Sequence, residues 1–250
     1  MNIIIPMAGL GSRFPESIYQ TCKPLIPING IPMIAHTINS LNLSGNYIFI
    51  LKQDKYTDEL ISVLKNTSVD SKIIVLKEST SGPAETCLAA RQYLLDEEEL
   101  MIANSDQIMW WNSELFVNCT KANSIDGLIV TFNSKSPANS YARINKDGNV
   151  IEVKEKEVIS DLALSGVHYW KKAKDFFWSA ETMIQARDKS ISEYYIGPTF
   201  NYLVAKGFRL GIHHLPRFQH NPVGVPEDLQ TYKEKLWKHT GLKTFLEDGL

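Results

Sequence analysis

A chain of 250 residues and 28.3 kDa, with 44% hydrophobic, 10% aromatic and 22% charged residues, has the composition of a folded globular protein. Its 26 Lys+Arg against 28 Asp+Glu leave a net charge of −2, without a long block of like charge, which excludes a duplex-DNA binder living on phosphate neutralisation and a polybasic membrane anchor. No run approaches the roughly 18 apolar residues of a membrane span, and 14 Gly and 11 Pro are too few for a low-complexity chain.

The first apolar run predicts a buried strand over 2–5, ended by Pro6. It lacks a basic flank and is interrupted too early for a secretory signal, so a cytoplasmic protein is expected. A glycine-rich loop follows to Phe14. Met33, Ile34, Ile38 and Leu41 recur at helical spacing, with Pro32 suited to a first turn, giving a helix over 32–41. A strand over 47–51, a helix over 54–64 and a strand over 72–76 come next. Ala84, Cys87, Leu88, Arg91 and Leu95 predict a helix over 83–95, and the acids at 96–99 read as a solvated connection rather than a metal cluster. A strand over 100–103 delivers Asn104-Ser105-Asp106 at its carboxyl end, where open α/β sheets place their ligands.

The rhythm then changes. Strands are predicted over 127–132, 141–145, 150–153 and 164–170, with Lys146-Asp147-Gly148-Asn149 a hairpin turn of Asp-Gly type. Helices over 173–187 and 198–206, the latter stopped by Gly207, a strand over 208–213 and a helix over 226–239 complete the chain. Alternating strands and helices followed by hairpins predict an α/β fold of Rossmann-like, three-layer type, its sheet mixed but mostly parallel, with antiparallel additions in the second half. No internal repeat and no polar linker divides it, so residues 1–250 are read as one domain.

Cys22, Cys87 and Cys119 are odd in number and show no CxxC, which fits free thiols better than disulfides or zinc. Cys87 and Cys119 read as small buried hydrophobes. Cys22 lies beside Lys23 but has no His within sequence reach, so thiol catalysis is disfavoured. His213 and His214 alternate faces of a strand without metal-ligand spacing.

The sharpest local feature is Pro6-Met7-Ala8-Gly9-Leu10-Gly11-Ser12-Arg13-Phe14. Its glycines allow backbone N–H groups to approach an anion closely. Phe14 stands where a dinucleotide fingerprint needs its third Gly, and no Gly-Lys-Ser/Thr makes a P-loop. By itself the loop also admits the lesser reading of a turn that merely joins strand to helix. Beyond it lie Lys23-Pro24-Leu25-Ile26 and Gly30-Ile31-Pro32-Met33-Ile34. The ordered set Gly9, Gly11, Ser12, Arg13, Lys23, Pro24, Leu25, Gly30, Pro32, Met33 and Ile34 resembles the signature of the nucleotidyltransferases that make nucleotide-activated sugars and related compounds, with Cys22 where that family usually has Pro. The resemblance continues through Ser81-Gly82-Pro83-Ala84-Glu85, Asn104-Ser105-Asp106, Val153-Lys154-Glu155-Lys156, Ser165-Gly166-Val167-His168-Tyr169-Trp170 and Val223-Gly224-Val225-Pro226-Glu227-Asp228-Leu229.

What the resemblance implies is attack by a phosphate oxygen of an acceptor on the α-phosphorus of a nucleoside triphosphate, expelling pyrophosphate. It assigns residues of about 1–125 to the nucleotide, about 126–232 to the acceptor, and a C-terminal helix to about 226–240. Ala8, Gly9, Leu10, Gly11 and Ser12 would hold the triphosphate, Arg13 would neutralise its β/γ end, and Lys23 would bridge the α-phosphate and the incoming phosphate. Ser81, Gly82 and Ser105 would contact the nucleotide, and Asp106 would hold Mg²⁺, a hard cation suited to carboxylate and phosphate oxygens. Glu155, Lys156, Gly166 and Glu193 would line the acceptor. A solvated Lys-Glu run is as good a reading of Glu155 and Lys156, and a helix-start carboxylate is the blander reading of Glu193. Trp110-Trp111 either cover a ligand or pack at a sheet edge. Sugar-specific members carry a second metal-binding Asp where this chain has Pro222, so His220, Asn221 or a residue elsewhere would have to replace it.

The compact length and the form Lys-Pro-Leu-Ile look similar to short members that act on non-sugar phosphates for capsule or surface-polysaccharide decoration, phosphoglutamine and phosphocholine cytidylyltransferases among them. The expectation is therefore a cytidylyltransferase using CTP and an amino-bearing phosphate, with no nucleic acid or membrane partner. Its oligomeric state is open, a homodimer included. A sugar-1-phosphate uridylyl-, thymidylyl- or cytidylyltransferase is the alternative, and a non-catalytic nucleotide-binding homologue is the rival of another class. A glycosyltransferase is disfavoured because no Asp-x-Asp follows the strand at 100–103.

Overall fold

The computed structural model describes residues 1–67, 69–121 and 125–247, with side chains as far as Lys238. In chain order the first half contains β1 (Asn2–Met7), α1 (Glu16–Tyr19), a 3₁₀ turn (Lys23–Leu25), the hairpin β2 (Pro27–Ile28) and β3 (Ile31–Pro32), α2 (Met33–Leu41), β4 (Asn46–Lys52), α3 (Thr57–Lys65), β5 (Ser71–Leu76), α4 (Pro83–Leu88), β6 (Leu100–Ala103), β7 (Gln107–Met109) and α5 (Ser113–Thr120). The second half contains β8 (Gly127–Asn133), β9 (Tyr141–Ile144), β10 (Val150–Lys154), β11 (Leu162–Trp170), α6 (Ala173–Gln185), α7 (Thr199–Ala205), β12 (Leu210–Leu215), β13 (His220–Pro222) and α8 (Pro226–Glu247).

One nine-stranded sheet runs through both halves in the order β10-β9-β11-β6-β1-β4-β5, with β8 on β11 and β12 on β8. β6, β1, β4 and β5 are parallel, β11 is antiparallel to β6 and β8, and β12 is again parallel to β8. Alternation along each strand makes three layers. Ile3 and Ile5 of β1 pack with Ile34 and Ile38 of α2, Leu60 of α3 and Phe116 of α5. Ile4, on the opposite face, joins Cys87 of α4, Phe176 and Met183 of α6, and Phe200 of α7. The mixed three-layer α/β architecture read from the sequence is the one observed.

Three local readings need correction. β1 does not end at Pro6 but continues to Met7, paired to β4 throughout. The Asn2 N–H donates to the Glu99 carbonyl on the β6 side. By the two-residue period Pro6 faces that side too, beyond Ile4 where pairing with β6 stops, so its missing N–H leaves no gap. The helix expected over 83–95 ends at Leu88 and passes into a 3₁₀ turn at Arg91–Tyr93. There Arg91 turns to Glu181 and lies over the Phe177 ring of α6 at 5.1 Å. The acids at 96–99 form the solvated connection expected, with Asp96, Glu97 and Glu99 exposed, and they also bind their neighbours. Glu98 accepts from Asn2 Nδ2 and the Leu95 N–H, Glu97 pairs with Lys172 and Lys174, and Glu99 accepts from the Tyr169 hydroxyl, fastening the entry of β6 to β1, α6 and β11. The last helix runs on past 239 to Glu247.

The core holds a pH-sensitive group. His168 of β11 is 4% exposed, stacked beside Trp170 and Phe200, and neither ring nitrogen has a protein partner. Burial pushes its imidazole from the ordinary 6.5 down to about 3. The unfolded chain therefore takes up this proton first, so the contribution to stability is complete above pH 6.5 and is lost as the pH falls towards 3. His168→Leu should flatten the acid side of the stability curve by up to about 1.4 kcal/mol per pH unit. Chemical denaturation of both proteins at several pH values checks this, and parallel curves would show that His168 does not carry the effect.

Candidate active site

Because β1 and β6 are parallel neighbours, the loop after Met7 and the segment after Ala103 leave the sheet at the same edge. The loop is anchored at its ends and open at its tip. Ala8 and Phe14 are buried, Phe14 against the Tyr19 ring at 5.0 Å, and the Phe14 N–H donates to the Gly11 carbonyl at 2.9 Å. Gly9, Leu10, Ser12 and Arg13 are exposed, Leu10 by 78%. Gly11 has φ +61°, and a Cβ there would lie 3.2 Å from Lys23 Cβ, so this turn is fitted to glycine and to the neighbouring lysine together.

Lys23 opens a 3₁₀ turn whose second residue is Pro24. Its Nζ donates to Asp106 Oδ2, with both side chains less than one-fifth exposed, at 18% and 17%. The Gln107 amide donates to Asp106 Oδ1 at 3.4 Å, and the Asp106 carbonyl accepts from the Val223 N–H at 2.9 Å. Gly224 completes this arrangement by close approach. A Cβ there would stand 2.7 Å from Asp106 Oδ2 and 3.8 Å from Lys23 Nζ. Four motifs far apart in the chain, at Gly11, Lys23, Asp106 and Gly224, thus meet around one ion pair.

The neighbouring residues are fixed by backbone bonds. Thr37 of α2 donates to the Ser105 carbonyl at 3.0 Å, and the Asn104 N–H donates to the Gly166 carbonyl at 2.9 Å. Gly166 lies within the register shift of β11, its α-carbon against the Asn104 side chain. Ser81 and Gly82 precede α4 and are zipped to Tyr194: the Tyr194 N–H donates to the Ser81 carbonyl, and the Ala84 N–H to the Tyr194 carbonyl, both at 2.9 Å.

Three of the four residues assigned to the acceptor, Glu155, Lys156 and Glu193, form a second group, while Gly166 lies against Asn104. Glu155 accepts from the Ser140 hydroxyl, and its carboxyl is raised above the usual range, first by burial and partly by the nearby Glu193. Lys156 donates to the Tyr195 hydroxyl at 3.2 Å. Glu193 is exposed and sits in a short bridge to Ser190, while α7 begins only at Thr199, so it is not a helix-start carboxylate. No hydrogen bond or ion pair among the described residues joins this group to Lys23 or Asp106.

Both candidate substitutes for the second metal ligand are held by neighbours, His220 through Nε2 alone, its buried Nδ1 having no hydrogen-bond partner among the described residues. Asn221 donates to the Ile108 carbonyl at 3.2 Å and accepts from Lys235, and His220 is bonded to Gln107. Trp111 donates its indole N–H to the carbonyls of Ser40 and Leu41, while Trp110 packs on Tyr232. His213 faces Cys119 at 3.5 Å and His214 faces Thr131 at 3.2 Å. Cys87 is buried and Cys22 and Cys119 are half-buried. Burial pushes the Cys22 thiol up to about 11, against any role as a nucleophile.

Among the described residues no three His, Cys, Asp or Glu side chains converge so as to hold a metal ion. The donor set therefore does not fit a metal held by protein alone. It does fit a hard cation that brings phosphate oxygens and water and takes one carboxylate oxygen from Asp106, the manner in which Mg²⁺ is ordinarily held. Gln107, Ser140 and Tyr195, which the sequence pattern did not single out, bond to the candidate residues Asp106, Glu155 and Lys156.

The family described as MobA-like NTP transferase domain matches residues 3–147. The bifunctional protein GlmU of Methanocaldococcus jannaschii is 28% identical over 192 residues, 75% of this chain and 44% of that protein. The 3-deoxy-manno-octulosonate cytidylyltransferase of Wigglesworthia glossinidia brevipalpis is 29% identical over 129 residues, 52% of this chain and 49% of that one. The chain thus spans less than half the length of these curated relatives. In fold it is similar to the crystal structure of a nucleoside-diphosphate-sugar pyrophosphorylase from Vibrio cholerae, at TM-score 0.81 and 23% identity, over 93% of this chain and 99% of that one. Among the described residues no helix is long and apolar enough to cross a membrane.

Proposed function

The chain belongs to the MobA-like NTP transferase family, and from that premise we propose that it is a nucleotidyltransferase that moves a nucleoside monophosphate from a triphosphate, CTP by preference, to a phosphorylated small molecule. The observation that carries the reading is the meeting of Gly11, Lys23, Asp106 and Gly224 at the carboxyl edge of the parallel strands. An oxygen of the acceptor phosphate forms a bond to the α-phosphorus, the bond from that phosphorus to the bridging oxygen breaks, and pyrophosphate leaves with the electron pair. Little acid-base chemistry is required. The demand is for positioning and for cations where anionic oxygens crowd together.

The chain's residues supply those needs. Backbone N–H groups from Ala8 to Ser12 receive the triphosphate, and Arg13, exposed at the loop tip, turns onto its β/γ end. Lys23 leaves Asp106 for the α-phosphate and the incoming oxygen. Mg²⁺, when bound, neutralises phosphate charge and orients the triphosphate. Asp106 offers it a carboxylate oxygen, Gly224 leaves room beside that oxygen, and Ser81, Gly82 and Ser105 border the nucleotide. Glu155, Glu193, Lys156 and Gly166 border the acceptor, and the two carboxylates would suit an amino group on it. Such substrates belong to the cytoplasm, and a product of this kind serves capsule or surface-polysaccharide decoration.

Two of the comparisons bear on different substrates, one on the nucleotide donor and one on the acceptor. The Wigglesworthia relative is named a cytidylyltransferase, in favour of CTP, whereas the Vibrio protein is named for a nucleoside-diphosphate sugar, which favours a sugar 1-phosphate as the second reading. Pyrophosphate release from CTP, UTP, dTTP, GTP and ATP, each paired with phosphocholine, phosphoglutamine and several sugar 1-phosphates, separates them. Release with CTP and an amino-bearing phosphate is expected. Release only with UTP or dTTP and a sugar phosphate would replace the first reading with the second, and none with any pair would overturn both.

A further inference from the structure

His220 is 3% exposed, yet it lies one side chain away from Asp106. The antiparallel pair β7 and β13 sets His220 opposite Met109 and Pro222 opposite Gln107, so His220 and Gln107 share a face as diagonal neighbours. The imidazole stacks on Phe132 with centroids 4.1 Å apart and planes at 28°, and the Arg217 guanidinium lies over the same phenyl ring at 5.1 Å. Arg217 also donates to the His220 carbonyl at 2.8 Å, so ring and backbone are both held. Nε2 of the imidazole meets Gln107 Oε1, and Gln107 Nε2 reaches Asp106 Oδ1 at 3.4 Å.

The direction of these bonds follows from the carboxylate. An ionised carboxylate only accepts, so the Gln107 amide must turn its N–H₂ to Asp106 and its oxygen to the imidazole, which places the ring proton on Nε2. Burial pushes the imidazole down to about 3, which keeps the ring neutral with that single proton. The two oxygens of Asp106 therefore have different anchors. Oδ2 faces Lys23, a flexible cation that the reaction calls away, while Oδ1 is tied to a buried, stacked ring through one amide.

We propose that His220 is a positioning residue: acting through Gln107, it fixes the Asp106 carboxylate in the orientation that receives the metal-nucleotide complex once Lys23 departs. The proposal rests on the reading of Asp106 as the metal ligand. On this reading His220 is not the substitute ligand for the carboxylate that Pro222 lacks, but the support of the Asp106 carboxylate.

The test compares wild type, His220→Phe, His220→Gln, Gln107→Leu and Asp106→Asn for Mn²⁺ binding in the presence of CTP, and again with UTP, by water-proton relaxation, with thermal melting alongside. Phe keeps a ring on Phe132 but has no proton to donate, whereas the Gln amide can donate to Gln107 Oε1. His220→Phe should melt near wild type and bind Mn²⁺ roughly tenfold more weakly, the scale of lost support to a metal ligand. Gln107→Leu should match it, His220→Gln should recover most of the affinity, and the Gln107→Leu/His220→Phe double variant should be no worse than either single one. Wild-type affinity in both His220→Phe and Gln107→Leu, with Asp106→Asn impaired, would overturn the positioning role alone. Equal binding by wild type and Asp106→Asn would overturn the metal reading and the positioning role with it. Should His220→Phe fail to fold, Gln107→Leu decides on the same criteria.

Discussion

Lys23→Met should lower kcat for pyrophosphate release by about 10²–10³, the ~3–4 kcal/mol that a single preorganised donor contributes where charge develops. The loss should fall mainly on kcat, because the ammonium is drawn to the α-phosphate and incoming oxygen most strongly when both crowd the same phosphorus. Folding should survive. Besides its own turn, Lys23 meets the core at the Phe14 ring, 5.9 Å from its Nζ, a contact that a methionine side chain can replace, and Leu25, Ile26 and Ile28 keep the segment anchored. A second readout separates this role from a structural one. In the free protein Lys23 covers the Asp106 oxygen that a cation would use, so Lys23→Met should bind Mn²⁺ without nucleotide more tightly than wild type. Steady-state kinetics and Mn²⁺ relaxation titrations together check the pair of outcomes. Unchanged kcat would remove Lys23 from the reaction, and unchanged Mn²⁺ affinity would show that its contact with Asp106 does not guard the oxygen.

Asp106→Asn should have the larger effect, a loss of about 10³ or more in kcat/KM, because metal stabilisation of phosphoryl charge amounts to several kcal/mol and, among the described residues, no group of three metal-binding side chains stands ready to replace it. Asn221 is already committed to Ile108 and Lys235, and position 222 is proline. The substitution is nearly isosteric. The amide oxygen can still accept from Lys23 or Gln107, and the backbone bond from Val223 to the Asp106 carbonyl is untouched. Melting temperature should therefore stay close to wild type while Mg²⁺-dependent turnover disappears. Titration of activity against Mg²⁺ at saturating nucleotide distinguishes a shifted half-saturation from a lost maximum. An Asp106→Asn protein with wild-type turnover would refute the assignment.

Most of the parallel half was legible because its signals are local. Continuous apolar runs such as Ile3-Ile4-Ile5 make strands buried on both faces, and the spacing of Ile34, Ile38 and Leu41 makes the helix between them. The residues around the ion pair were legible for another reason: Gly11, Lys23, Asp106 and Gly224 each lie in a segment whose order resembles one family. The sheet registers of β7 and β13 were not legible. Each strand is three residues long, and the pairing joins positions more than a hundred residues apart, so no periodicity announces it. The link from His220 through Gln107 depends on that register and stayed hidden with it. The hairpin of β2 and β3 was masked by the prolines at both of its outer positions, Pro27 and Pro32, which argue against a strand in a sheet interior and are tolerated in a two-stranded ribbon. Arg91 misled in the opposite direction. Its position fitted a longer α4, but its contacts with α6 draw the chain into a tighter turn.

On the proposed reading, this loop, lysine and aspartate transfer a nucleotidyl group rather than a terminal phosphate. Parallel reactions with the nucleoside triphosphate labelled at its α- or its γ-phosphorus test it most directly, with products separated after incubation with Mg²⁺ and the acceptor that supports turnover. The α-label should appear in the acceptor and the γ-label in pyrophosphate. Transfer of the γ-label to the acceptor, with the α-label left in a nucleoside diphosphate, would contradict the claim.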